Sequence, residues 1–171
     1  MENDQTSTKK IIIKYGLILG LTWVIYGFIR YITDNRTSIG WEIVIIELFI
    51  YVTIIAYGIY KYKHANSGFL KLSQALKIGS GVALITAIIY NMWDIFLLKI
   101  ISPETMYQMI SSFEKSSITK PMEQDNIMSI ENSFIFDISL ANLIFHPVLG
   151  LLISLIAGAI MQKKQDVYKK N

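Results

Sequence analysis

The sequence predicts an all-α polytopic membrane protein: four transmembrane helices with a partly helical extracytoplasmic loop. Three observations carry that reading. The 171 residues are 53% hydrophobic and only 17% charged, against about 25% charged in a soluble domain, and the mean hydropathy is +0.43. The apolar residues gather into four blocks of about 20 residues or more, each able as a helix to cross a hydrocarbon core ~30 Å thick. The lysines cluster at one set of block ends. With no cysteine in the chain, a disulfide framework, a thiolate metal site and a cysteine nucleophile are all excluded.

The first span is Ile11 to Ile32, broken only by Lys14 near its start and Arg30 near its end. It follows Lys9 and Lys10 as a signal peptide would. Its apolar run exceeds the usual ~7–15 residues, however, and no small-x-small cleavage site follows, so a retained anchor is expected. The second span is Trp41 to Tyr60, the third Ile78 to Leu98, and the last Phe136 to Met161. Val44 to Ile55 and Val82 to Ile89 lack the polar face of a soluble amphipathic helix. Backbone amides in lipid must pair within their own segment, which makes each block a helix. In the last span, Pro147 after His146 removes a backbone donor and predicts a kink. The whole chain, 1–171, is expected to form a single membrane domain.

Basic residues set the expected orientation. Lys9, Lys10 and Lys14, then Lys61, Lys63, Lys71 and Lys77, then Lys163, Lys164, Lys169 and Lys170 fall on one side. On the other, Arg30, Arg36, Lys99, Lys115 and Lys120 are diluted by acids. Both termini are therefore expected in the cytoplasm of a cell whose inner membrane holds the protein. Tyr31, Trp41 and Trp93 then mark the outer interface, and Tyr15, Tyr60 and Tyr62 the inner one.

The cytoplasmic loop, 61–77, and the turn after it hold a candidate short amphipathic helix from Ser67 to Gly79, with Ser67 as its N-cap. Phe69, Leu72, Leu76 and Gly79 share one face, and Lys71 and Lys77 project elsewhere as a candidate lipid-facing basic surface. The favoured alternative is a helix entrance continuous with the third span. In the outer loop, 99–135, Ser102-Pro103-Glu104 has the chemistry of a helix start. Met106, Met109, Ile110 and Phe113 recur at helical spacing and are expected to pack on the bundle end.

Ionisable groups inside a membrane need a partner or a wet cavity. Glu47 lies roughly 9 Å below the outer end of the second span and Asp94 roughly 6 Å below that of the third. Arg30 ends the first span, and His146 is midway down the last. Arg30, Glu47, Asp94 and His146 thus form a candidate intramembrane polar cluster, with Arg30–Glu47 as the expected ion pair. Its structural role is favoured over ligand binding or proton relay, because no internal repeat or matched broken helices mark a transporter. Gly16 and Gly20, then Gly79, Ala83 and Ala87, then Gly150, Ser154 and Gly158 have small-xxx-small spacing, which predicts close helix packing within the bundle.

No HExxH, GxSxG, Walker A or dinucleotide fingerprint occurs, so no enzyme, cofactor or metal site is predicted. The scattered lysines report orientation and not nucleic-acid binding.

Two stretches resemble a known family. Gly58-Ile-Tyr-Lys-Tyr-Lys63, followed by Gly68-Phe69 and Gln74-Ala-Leu-Lys-Ile-Gly79, is similar to the central signature of the bacterial domain-of-unknown-function family DUF4199. Pro147 to Ala157 with Lys163-Lys164 is similar to its closing segment. Lys61 stands where arginine is expected, and His64-Ala-Asn-Ser67 precedes the glycine. The resemblance implies an integral inner-membrane protein and transfers no catalytic residue. The expected role is structural or partner-binding, with membrane lipids, another membrane protein or a second copy as partners and no nucleic acid. The alternative is a component of small-solute or ion transport.

Overall fold

The computed structural model describes residues 7–35, 40–116 and 127–163. Arg36, Lys120, Pro121, Lys164, Lys169 and Lys170, and the side chains of Phe113 and Lys115, lie outside the described parts. The chain forms α1 (Thr8–Ile32), α2 (Trp41–Ala65), α3 (Leu72–Phe96), a π-helical turn (Leu97–Ile101), α4 (Pro103–Ser116) and α5 (Ile127–Met161). Four of these segments are long and apolar enough to cross a membrane. Large apolar side chains such as Ile25, Phe49 and Ile156 are more than half exposed on the bundle's flank, the face that meets lipid tails.

The helices alternate in direction, and small residues decide which of them touch. A Cβ on Gly16 would strike Ile85, and one on Gly20 would strike Ile89, so α1 and α3 run parallel in close contact. A Cβ on Gly79 would collide with Ser154 and lie 2.7 Å from the Gly150 carbonyl; one on Gly150 would strike Ala83. This antiparallel α3–α5 seam is the small-residue packing the spacing predicts, and α3 is the central helix. Leu19, Ile55, Ile59, Ile78 and Val82 are fully buried among these helices.

The helices outrun the apolar blocks. α2 continues to Ala65, α3 begins at Leu72, and α5 begins at Ile127, nine residues ahead of Phe136. Ser67 does not cap a helix start. It takes a left-handed conformation (φ 52°), and Gly68 N–H donates to the Lys63 carbonyl at 2.9 Å. These residues close α2 in a Schellman-type turn with Asn66 as C-cap. The amphipathic stretch is the favoured alternative, the first turns of α3. Lys71 N–H donates to Gln74 Oε1 (2.9 Å), and Gln74 Nε2 donates to Tyr62 Oη (2.9 Å), fixing that start against α2.

At this end an antiparallel bridge joins Leu70 and Lys163 through two 3.0 Å bonds. At the opposite end, α4 starts at Pro103 as expected. The Ser102 hydroxyl meets Thr105 Oγ1 at 2.8 Å. Met106 is buried against Leu97 and Leu98, with Met109, Ile110, Tyr31, Trp93, Phe134 and Ile135 around them, so the methionine stripe packs on the bundle end. Tyr107 Oη donates to Glu131 Oε1 at 2.6 Å, and Lys99 Nζ donates to Asn132 Oδ1 at 3.1 Å.

Candidate functional site

The expected ion pair forms. Arg30 Nη1 lies 3.2 Å from Glu47 Oε1, with side chains 16% and 29% exposed. Arg30 also donates to the Asn35 carbonyl from Nε (3.2 Å) and Nη2 (2.9 Å), and its guanidinium sits 6.0 Å from the Tyr26 ring centre. The guanidinium thus has three kinds of partner, which holds Glu47 against α1 instead of leaving a lone charge in lipid.

Below the pair lies a cavity of about 340 Å³, lined by all four spanning helices, of the size that takes small molecules. α1 gives Trp23 and Arg30, α2 gives Glu47 and Tyr51, α3 gives Tyr90, and α5 gives Asn142 and His146. Val44 and Leu48 of α2 and Phe145 of α5 also line it and are about half exposed. The mouth therefore opens sideways between α2 and α5, toward the lipid.

Its floor is an aromatic box. The rings of Trp23, Tyr51 and Tyr90 and the His146 imidazole have centres 5.5–6.3 Å apart in the pairs that touch. Tyr51 Oη and His146 Nδ1 are hydrogen-bonded at 2.5 Å, the tautomer deciding which donates. Trp23 Nε1 is buried without a hydrogen-bond acceptor among the described residues, and its ring makes T-shaped contacts with the Tyr26, Tyr90 and His146 rings. Asn142 Nδ2 donates to Asn91 Oδ1 (3.1 Å), and Asn91 Nδ2 donates to the Ser139 carbonyl (3.1 Å), pinning the cavity wall between α3 and α5.

Of the four residues expected to cluster, Arg30, Glu47 and His146 share this cavity. Asp94 is buried one turn beyond Tyr90 on α3 and does not line it. Tyr90, four residues earlier on the same face of α3, does line it, so Asp94 is set off along the helix axis, by about 6 Å, and not by azimuth. Lys71 and Lys77 are both exposed. Lys77 faces a groove with Lys9, whereas Lys71 stands at the α3 start and is not part of that groove. Among the described residues no group of His, Asp and Glu could hold a metal.

A family model described as "Protein of unknown function (DUF4199)" matches residues 14–163. The chain belongs to the DUF4199 family. No curated protein and no solved structure matches it. The DUF4199 match covers every cavity-lining residue, from Trp23 to Leu149. The family carries no activity to transfer, so the chemistry of this DUF4199 chain rests on the cavity. A charged rim, a hydroxyl- and imidazole-bearing aromatic floor and an apolar side mouth suit a molecule with one polar end. Sequence reasoning misses Trp23, Tyr51 and Tyr90. Ten tyrosines and three tryptophans are in the chain, and these three carry no spacing that sets them apart.

Proposed function

We propose that this multi-pass membrane protein is a non-catalytic binding protein that takes a small amphiphilic molecule into the cavity between α2 and α5. The observation that carries the reading is the cavity's asymmetry: Arg30, Glu47, Tyr51 and His146 at its polar end, and half-exposed Val44, Leu48 and Phe145 at its lipid-side mouth. Binding is favoured over transport because Leu19, Ile55, Ile78 and Val82 fill the other half of the bundle with packed apolar side chains. The lysine distribution supports a place in the inner membrane with both termini cytoplasmic, so the cavity draws on the outer leaflet.

The test is native mass spectrometry of full-length protein extracted from membranes. Wild type is expected to carry a small-molecule adduct that Leu48→Trp, which fills the mouth from a half-exposed position, removes without lowering thermal stability. An adduct-free wild type, or one whose adduct persists in Leu48→Trp, overturns the reading. A second reading, assembly with another membrane protein or a second copy, is favoured by α2 alone. It is the least embedded span, and Trp41, Ile45 and Phe49 form a row 64–83% exposed. Crosslinking in native membranes through this row distinguishes it.

A further inference from the structure

A second cavity lies at the lysine-bearing end and is independent of the first. It is a groove of about 460 Å³ where the start of α1 meets α3 and α5. Thr8, Lys9 and Lys77 border it, the lysines chiefly through their aliphatic stems with the ammonium groups at the edge, and Ile12, Leu84 and Pro147 form its apolar floor. Ser80 also lines it, but its hydroxyl is spent on the Leu76 carbonyl at 2.7 Å. α3 rises roughly 10 Å from Lys77 to Leu84, so the groove runs from headgroup depth into the acyl region.

Among the described residues, the charges around it are of one sign. Among the described residues this end carries Lys9, Lys10, Lys14, Lys61, Lys63, Lys71, Lys77 and Lys163. The described acids Asp34, Glu42, Glu47, Asp94, Glu104, Glu131 and Asp137 all sit toward the other end. Lys14, Lys61 and Lys163 lie over the rings of Tyr15, Tyr57 and Phe69. Lys9 and Lys77 have no such ring and no carboxylate among the described residues. Two ammonium-bearing side chains on one rim, joined by the positive end of α1, set a cationic clamp above an apolar slot, with no carboxylate of the described residues against it.

We propose that this groove is a site for one anionic glycerophospholipid, its phosphate held between Lys9 and Lys77 and its acyl chain laid along Ile12, Leu84 and Pro147. The apolar floor selects a lipid over a free anion, and the paired lysines select an anionic headgroup over a zwitterionic one. The site needs only that this end of the bundle meet a leaflet surface.

The experiment uses the full chain in neutral detergent, with phosphatidylglycerol or phosphatidylcholine added and retention read by native mass spectrometry. Wild type is expected to retain one phosphatidylglycerol with about thirtyfold preference over phosphatidylcholine, from two lysines near the surface. Lys9→Gln with Lys77→Gln is expected to reduce the preference to about twofold. Lys61→Gln with Lys63→Gln, at the same end but on α2, is expected to preserve it. Leu84→Trp, filling the floor, is expected to lower retention with both lysines intact. The proposal is overturned if the Lys9/Lys77 variant keeps the preference, or if the Lys61/Lys63 variant loses it equally, the mark of diffuse charge. It is also overturned if millimolar inorganic phosphate displaces the lipid completely, the mark of a plain anion site.

Discussion

Arg30 and Glu47 meet at 3.2 Å across α1 and α2, at the rim of a cavity open to lipid. Each is the other's neutralising charge in surroundings that solvate ions poorly. Removing one takes away the other's counter-ion, so Glu47→Ala is expected to cost about 2 kcal/mol. Arg30→Ala with Glu47→Ala together is expected to cost less than Glu47→Ala alone. A double-mutant cycle on thermal unfolding in detergent checks this, and additive losses would reject it.

Gly79 faces the Gly150 carbonyl and the Ser154 side chain with no room for a methyl group. Gly79→Ala must push α3 and α5 apart, at an expected loss of about 1–3 kcal/mol. Gly81→Ala meets the Ile12 side chain at Cδ1 and Cγ2, both 2.9 Å, but no backbone atom, so its loss is expected to be the smaller. Comparing the two melting temperatures tests the claim that this seam holds the bundle together.

Ser67 occupies a left-handed position that glycine fills more easily. An L-residue there costs about 1–2 kcal/mol, and glycine gives back part of that in unfolded-chain entropy. Ser67→Gly is expected to raise stability by about 0.5–1 kcal/mol. A fall in the unfolding midpoint would show that α2 does not end as described.

Tyr107 ties α4 to α5 through Glu131. The hydrogen bond to that carboxylate, and then its charge, raises the phenol's pKa above the ordinary value of 10.0. A raised folded value means the native protein holds this proton more tightly than the unfolded chain. The contribution is whole below about pH 10 and is lost as pH climbs through the folded value. Glu131→Gln is expected to let tyrosinate absorbance appear at lower pH than in wild type. An unchanged titration would place the phenol elsewhere.

The spans, the Arg30–Glu47 pair and the α3–α5 seam were legible in the sequence because each breaks a simple pattern. A charge in an apolar run is conspicuous, the helical rise gives its depth, and small residues four apart mark a face. Asp94 shows where that logic stops. Asp94 shares the cavity-facing side of α3 with Tyr90 one turn away, but how far along the axis the cavity reaches depends on how three helices pack around it. Trp23, Tyr51 and Tyr90 were hidden because aromatic residues in lipid are common for many reasons. The π-helical turn at Leu97–Ile101 leaves no mark in five residues that read as plain apolar helix. Ser67 is ambiguous because a serine before a glycine reads equally well as a start or a stop. The Lys63 carbonyl, reaching forward to Gly68, decides it.

The attachment of α2 is uneven along its length. Near one end Gly58 presses on the Tyr15 ring, with a Cβ there only 3.1 Å from it, and Tyr62 is clasped by Gln74. Near the other, the ion pair at Glu47 is its charged tie to α1. Between them Tyr51, one turn from Glu47, is buried and hydrogen-bonded to His146. The helix is thus tied to α1 at both ends and to α5 in the middle, so the two flanks of the side mouth are held by different chemistries, charge on one and a phenol on the other.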